Sequence, residues 1–363
     1  MIEKKRRTMT NPKNNDDQEP YILQLPDYII FEILCKISIS KVIQCRLVCK
    51  SWLRFFSNPY FTKTLCSRTP TSLIVSGPSN DHYLVGLDES SRPHGDVSEL
   101  SSYRGRSTDI VGSCNGFLCL HDSRRSRFYL SNPITDESVV LPKHYHLDRQ
   151  CGFGFSPVSN VYKLVYFSFY CHYPIFGDGY DGEADVMVLT VGSTVWRNVG
   201  KCEYPVGYQD YGIYVNGFLH WVAFGLNVIK AFDVERELFQ SFPPPPLPSE
   251  GTSRENWSAS RLVVLKASLS LIVPNGDNYS VWVMKDYGVK ESWTKELEIV
   301  NDYFGHIPTE EGQVLLVLHH QLKAYTPGKI GFSKVEVDGL PKRVATGCVH
   351  IPSFVSLKDI ISS

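Results

Sequence analysis

The 363 residues predict an α+β multidomain chain: a small helical module near the N-terminal end and a much longer all-β region after it. Three observations predict this. Apolar residues between Leu25 and Phe55 recur with a helical period. After Leu65 the chain turns to short apolar or alternating runs bounded by Gly, Pro, Asn, Asp and Ser. Within that second region, two submotifs return at equal internal spacing.

In the first part Ile29, Ile30, Ile33, Leu34 and Ile37 stack on one helical stripe. Pro26 and Asp27 suit a helix start, where a missing amide donor costs nothing and a carboxylate meets the positive dipole end. After Ser38 and Ser40 a second pattern carries Val42, Ile43, Leu47, Val48, Trp52 and Phe55, and Asn58-Pro59 ends it. Three short helices in so short a segment bury too little apolar area to fold comfortably alone, so this module needs a partner or the rest of the chain. Cys45 and Cys49 lie four apart on a helix, where both fill space beneath Trp52; with no Cys-x-x-Cys pair in the chain, a metal reading has no support.

In the second part "NGFLCL" (115–120) returns as "NGFLHW" (216–221), and Asn132 follows Asn115 by the same seventeen positions that separate Asp233 from Asn216. A second unit pairs "VMVLTVGSTVWRNV" with "SVWVMKDYGVKESWTKELEI", each a strand, a polar turn and a Trp (Trp196, Trp293) opening another strand. Such units fall near 111–142, 151–199, 211–246, 259–299 and 312–339, and 70–87 joined with 343–357 makes one more. Small antiparallel sheets repeated around a ring protect their edges. The expectation is a β-propeller of about six blades, with an open sandwich as the alternative.

Composition excludes several classes. The chain has no apolar run of about twenty residues and no basic segment leading an apolar one, so no membrane partner and no secretory leader is expected. The expected location is intracellular, in cytoplasm and/or nucleus. Its ten cysteines are then expected as reduced, core-filling thiols. A net charge of −1 gives no bulk attraction to nucleic acid, and no nucleic-acid partner is expected. Residues 1–19, with Lys4, Lys5, Arg6 and Arg7 and almost nothing apolar, are expected to be a disordered tail.

The stretch "LPDYIIFEILCKISISKVIQCRLVCKSWLRFFSNPYF" resembles an F-box, carried by Leu25-Pro26-Asp27, Glu32-Ile33-Leu34 and Val48-Cys49-Lys50-Ser51-Trp52. Ser38 stands where that family has proline. The later segments "GSCNGFLCL", "SNPITDESVVLP", "FGFSPVSNVYKLVYF", "VNGFLHWVAF", "FDVERELFQSFPPPP" and "ESWTKELEI" resemble the F-box-associated domain of plant F-box and kelch-repeat proteins. The expected division is a tail over 1–19, an F-box over 20–66 and an F-box-associated β-propeller-like domain over 67–363. The resemblance implies a substrate-recognition adaptor of an SCF (Skp1-cullin-F-box) ubiquitin ligase, with a Skp1-like protein as partner and, through it, cullin and RING subunits. The implied docking face is Leu25, Pro26, Ile29, Ile33, Leu34, Val48, Cys49 and Trp52.

No catalytic constellation stands out, and neither enzyme activity nor cofactor is expected. His319 and His320 point to opposite faces of a strand. Gly152 and Gly154 in "GFGF" lack the third glycine and the following helix of a dinucleotide loop. Trp196, Trp221, Trp282 and Trp293 are expected in the core. Three long connections (166–182, 202–211, 249–258) are candidates for holding a protein target, because functional residues concentrate on loops over a rigid scaffold. Tyr170, Tyr173, Phe176, Tyr180 and Trp257 are the candidate anchors, set against the alternative that they cover sheet edges. The rival function is a carbohydrate- or protein-binding propeller acting outside a ligase.

Overall fold

The computed structural model describes residues 21–34, 36–37, 39–46, 48, 50, 52, 71–79, 81–87, 93–100, 108–143, 150–168, 183–203, 211–223, 227–247, 257, 259–276, 278–300, 304–306, 314–318, 320–325 and 332–361. The expected tail over 1–19 and most of the residues expected to form a third helix of the N-terminal module lie outside these residues. A 3-10 turn (Tyr21–Gln24) leads into α1 (Asp27–Leu34), which starts directly after Pro26 as expected, and α2 (Ile39–Arg46) follows.

The described strands form six four-stranded antiparallel sheets. The first holds β1 (Ser72–Ser76), β2 (His82–Leu87), β3 (Pro93–Glu99) and, from the far end of the sequence, β24 (Thr346–His350). The second is β4 (Thr108–Cys114), β5 (Phe117–Asp122), β6 (Arg127–Asn132) and β7 (Glu137–Val140). The third is β8 (Cys151–Ser156), β9 (Val161–Ser168), β10 (Glu183–Thr190) and β11 (Arg197–Glu203). The fourth is β12 (Ile213–Val215), β13 (Phe218–Ala223), β14 (Val228–Asp233) and β15 (Leu238–Phe242). The fifth is β16 (Arg261–Leu265), β17 (Ser268–Asn275), β18 (Asn278–Met284) and β19 (Trp293–Val300). The sixth is β20 (Phe304–His306), β21 (Val314–Leu318), β22 (Gln321–Tyr325) and β23 (Phe332–Lys334).

Adjacent sheets meet through their first strands. β24 lies against both β4 and β20, β4 against β8, β8 against β12, and β12 against β16. The far ends of the sequence join where β24 pairs with β1, from Ser72↔His350 to Ser76↔Thr346. Sharing one sheet between distant segments leaves no unpaired inner edge there.

Each repeated motif has a local physical cause. Asn115-Gly116 and Asn216-Gly217 take positive φ at both residues (48° and 86°; 51° and 84°), the backbone that a two-residue hairpin with matching twist demands. Asn132 Oδ1 accepts hydrogen bonds from the Ile134 and Thr135 amides, and Asp233 Oδ1 accepts from those of Glu235 and Arg236. A short side-chain acceptor at that position closes the tight turn into the outer strand. The recurrent tryptophans latch sheets together: Trp196 Nε1 donates to the Pro142 carbonyl of the second sheet (3.0 Å), and Trp293 Nε1 to the Pro243 carbonyl of the fourth (2.9 Å). Pro142 and Pro243 thus end strands and offer an acceptor at the same time.

The "GFGF" glycines serve close packing. A Cβ on Gly152 would meet the Trp221 ring at 2.8 Å, one on Gly154 the Tyr214 ring at 2.8 Å, and one on Gly212 the Trp221 ring at 2.4 Å. Trp221 therefore lies flat over a floor of two glycines between the third and fourth sheets. Gly212→Ala is expected to lower stability by about 1–3 kcal/mol through overpacking. Urea unfolding checks this; an unchanged midpoint would mean that the indole moves aside freely.

Beyond β24 the chain crosses the second sheet as a strap. Asn132 Nδ2 donates to the carbonyls of Ser353 (2.9 Å) and Val355 (2.8 Å), and the Glu137 carboxylate accepts from Ser356 Oγ and the Leu357 amide, both at 2.8 Å. The strap ends in α3 (Leu357–Ile361), whose Leu357 is buried in the core shared by the second and third sheets.

Candidate functional site

The N-terminal helices present two apolar sides with different fates. Ile30 and Leu34, four apart on α1, join Val42 of α2 and Trp52 in one buried cluster with Ile74 and Leu84 of the first sheet, Leu118, Leu120 and Tyr129 of the second, and Phe354 of the strap. Fully burying one such side chain contributes roughly 1.5–3 kcal/mol, so this seat fixes the module on the ring. The other side stays open. Leu25, Ile33, Ile37 and Val48 are exposed, Val48 at 65%, together with Tyr21 and Tyr28.

This sorting corrects two expected docking residues. Leu34 (2% exposed) and Trp52 (5%) face the sheets, because the i, i+4 spacing from Ile30 carries Leu34 to the inner side and the indole fills the gap below α2. Leu25, Pro26, Ile33 and Val48 lie outward and Ile29 is half-buried, while Cys49 lies outside the described residues. Tyr28 and Ile37 are exposed neighbours that the sequence reading left out of the docking set. Their signal was an apolar stripe wider than one face.

Trp257, expected as a target anchor, is a second correction. It is fully buried with Leu262, Leu269 and Leu271 of the fifth sheet and Ile229 and Phe242 of the fourth, and its Nε1 donates to the Ala223 carbonyl (3.0 Å). A large ring with one polar edge satisfied fills an inter-sheet seam better than water does. Tyr170, Tyr173, Phe176 and Tyr180 lie outside the described residues. The strand ends that flank them are described. β8 and β12 run in the same direction, joined by the parallel bridge Gly152↔Gly212. The C-terminal ends of β9, β11 and β15 (Ser168, Glu203, Phe242) therefore lie at the ring face where β8, β12 and β16 begin.

Titratable groups within the ring serve structure. His82 bridges sheets, hydrogen-bonded to Ser76 Oγ through Nδ1 and to Thr108 Oγ1 through Nε2, both at 2.7 Å. His350 Nδ1 pairs with Ser113 Oγ (2.9 Å). His220 donates from Nδ1 to the Ile213 carbonyl (3.1 Å), which leaves Nε2 to accept from the Tyr287 hydroxyl (2.8 Å). Burial lowers the pKa of all three to about 4. His121 is buried and stacked on Phe128 with centroids 4.6 Å apart. Burial pushes the Cys114, Cys119 and Cys151 thiols well up, away from nucleophilic reactivity.

The most connected charges also join two sheets. Lys163 Nζ donates to the Val234 carbonyl (2.6 Å) and pairs with Glu237 (2.9 Å), which Arg197 grips with both amino groups (2.7 and 3.0 Å). Partial burial raises the Glu237 pKa, but the two cations outweigh it and hold the carboxyl below its usual value. Ser156 and Ser159 hydroxyls bind the neighbouring Glu235. Among the described residues no group of three His, Cys, Asp or Glu side chains is placed to hold a metal ion, and no helix is long and apolar enough to cross a membrane.

Seated helices with one uncovered apolar side, carried on a ring of antiparallel sheets, define a docking module fused to a β-propeller. The family comparison agrees. Residues 73–320 match the F-box associated beta propeller domain and residues 22–64 the F-box domain. The chain belongs to the F-box proteins with an F-box-associated β-propeller. An F-box protein of Arabidopsis thaliana is 32% identical over 310 residues, covering 76% of this chain and 72% of that protein. A second Arabidopsis F-box protein is 27% identical over 288 residues (74% and 77% covered), and an Arabidopsis F-box/kelch-repeat protein 24% identical over 326 residues (81% and 85% covered).

Proposed function

We propose that this protein is the target-holding adaptor of an SCF-type ubiquitin ligase. The F-box docks on a Skp1-like subunit through Leu25, Pro26, Ile29, Ile33, Val48 and Cys49, with Tyr28 and Ile37 extending the contact. Cullin and RING subunits join through that partner, and the propeller holds the target. In this reading the tail covers 1–19, the F-box 20–66 and the propeller 67–363, with each of the six sheets as one blade and the third F-box helix running through Trp52. The protein works in the cytoplasm and/or nucleus. Tyr170, Tyr173, Phe176 and Tyr180 grip the target from the connection between β9 and β10.

The observation that carries the reading is the divided F-box: its inner side is consumed by the first two sheets, while an apolar side rich in Leu, Ile, Val and Tyr stays uncovered. An exposed apolar patch of that kind marks an interaction surface. The chain supplies no nucleophile in this scheme. Its contribution is to raise the target's effective concentration beside the ligase.

Coexpression with a plant Skp1-like protein tests the reading. The wild type is expected to co-purify with it, and Ile33→Asp/Val48→Asp to lose the complex by about a hundredfold in affinity, while circular dichroism shows both folded. A folded wild type that captures no Skp1-like protein would defeat the reading.

A further inference from the structure

The hairpin joining β5 to β6 carries "SRRSR", residues 123–127, so three arginines occupy four successive positions at one tip. Asp122 shapes that tip: its Oδ1 accepts the Arg125 amide and its Oδ2 the Arg125 guanidinium, both at 3.0 Å, and its own side chain is almost wholly buried. Ser126 takes a positive φ of 52°, which completes the turn. Arg124 and Arg127 are exposed and make no ion pair among the described residues. Leu141, just beyond β7, donates its amide to the Phe128 carbonyl, and continuing that register brings Lys143 alongside the tip. Among the described residues, the acidic groups on the adjoining strands are Asp122, already engaged, the half-buried Asp109 of β4, and Glu137 at the opposite end of β7, which is engaged by the strap. The tip thus holds an excess of positive charge on a protein whose net charge is −1.

The tip also has a telling position. β5 ends and β6 begins at the ring face where β4, β8 and β12 start, the face shared by the strand ends that flank 169–182 and 204–210. We propose that Arg124 and Arg127, supported by Arg125 and Lys143, form an anion-reading subsite for a phosphorylated or carboxylate-rich peptide segment of the target. Guanidinium groups bind phosphate and carboxylate oxygens through paired, charge-assisted hydrogen bonds. Arg125 is already held in place by Asp122, so its ordering cost is met before binding. The cluster is one hairpin wide and meets only a few charges, which suits a short peptide segment better than a nucleic-acid backbone. This inference rests on the adaptor reading for the ligand's being a target.

The test uses the full chain and three fluorescent peptides: one with a phosphoserine among glutamates, one with glutamates alone, and one of the same length without acidic residues. The wild type is expected to bind the first or both acidic peptides, more weakly as salt rises, and not the third. Arg124→Glu/Arg127→Glu is expected to weaken binding by roughly tenfold or more with an unchanged melting temperature. Lys342→Glu/Arg343→Glu, exposed charges on the segment leading into β24, serves as control and is expected to bind as the wild type does. Preference between the two acidic peptides identifies phosphate or carboxylate as the source. No acidic-peptide binding, equal loss in both double variants, or tighter binding of a single-stranded oligonucleotide would overturn the proposal. Co-purification with the Skp1-like protein is measured on the same preparations and is expected to survive both charge reversals. Its loss in the wild type would strike the adaptor reading while leaving the subsite to be judged by the peptides.

Discussion

A chain ending at residue 345 is expected to show no cooperative unfolding transition and to aggregate on expression. It lacks β24, and with it the hydrogen-bonded partner of β1 along Ser72–Ser76. Leu73, Ile74 and Val75, which the full protein buries completely, then line an open inner edge that pairs with other copies. The strap contacts of Asn132 and Glu137 and the burial of Leu357 go with it. A chain ending at residue 351 separates the two effects, because it keeps β24 and loses only the strap. It is expected to fold, with a melting temperature lower by several degrees, consistent with a loss of about 1–3 kcal/mol in a large domain. Scanning calorimetry decides. If the 345-residue form melted like the full chain, β24 would be an appendage and the ring would close by other means.

Stability is expected to fall steeply as pH drops from 6.5 towards about 4, with the histidines starting the decline before the carboxylates join it. His82, His220 and His350 have folded pKa values of about 4, against an ordinary 6.5. Above pH 6.5 both folded and unfolded chains carry neutral imidazoles, and these groups leave stability level. As pH drops below 6.5 the unfolded chain takes up protons that the folded one refuses, so stability declines until the folded histidines titrate near pH 4. Each contributes up to about 1.4 kcal/mol per pH unit, and three together up to about 4, against a total of roughly 5–15 kcal/mol. Glu235, Glu237, Glu296 and Glu298 have lowered folded pKa values, so their losses begin as pH falls into the ordinary carboxylate range, where the unfolded chain protonates first, and continue below it. Urea midpoints at pH 7.5, 6 and 5 check the sign. A His82→Gln variant is expected to flatten the slope by about a third; midpoints level across this range would refute the histidine account.

Much of the ring was legible in the residues because its turns are chemically demanding. Asn-Gly at positive φ, an Asx acceptor at Asn132 and Asp233, and a tryptophan that must reach a neighbouring carbonyl each restrict residue type, so the repeat shows in the sequence. The joining of 70–87 with 343–357 was also readable, since each segment lacks the strands to make a sheet alone. Burial within a stripe was not readable. Ile33 and Leu34 are adjacent and equally apolar, yet Leu34 seats on the first two sheets and Ile33 faces outward, a difference set by where the ring lies and not by the helix itself. Trp257 misled for a related reason: a polar, glycine-containing connection surrounds it, and only the seam between the fourth and fifth sheets reveals what the ring fills. The arginine tip was not readable because arginines in a hairpin turn look like ordinary solvated charge, and only the fold shows Arg124 and Arg127 exposed without an ion pair among the described residues.

The pairing of β1 with β24 also imposes an order of events at the ribosome. His350 is made 278 residues after Ser72, its partner in the register, so the first sheet waits for most of the chain to be translated before it gains its inner strand. The F-box emerges early, but part of its seat is that same sheet, through Ile74 and Leu84. Such long-range closure is slow and leaves apolar surface open to chaperones in the meantime. A nascent chain stalled before residue 346 would carry an F-box on an unfinished scaffold, so the late strand acts as a checkpoint that couples a well-seated F-box to a completed propeller.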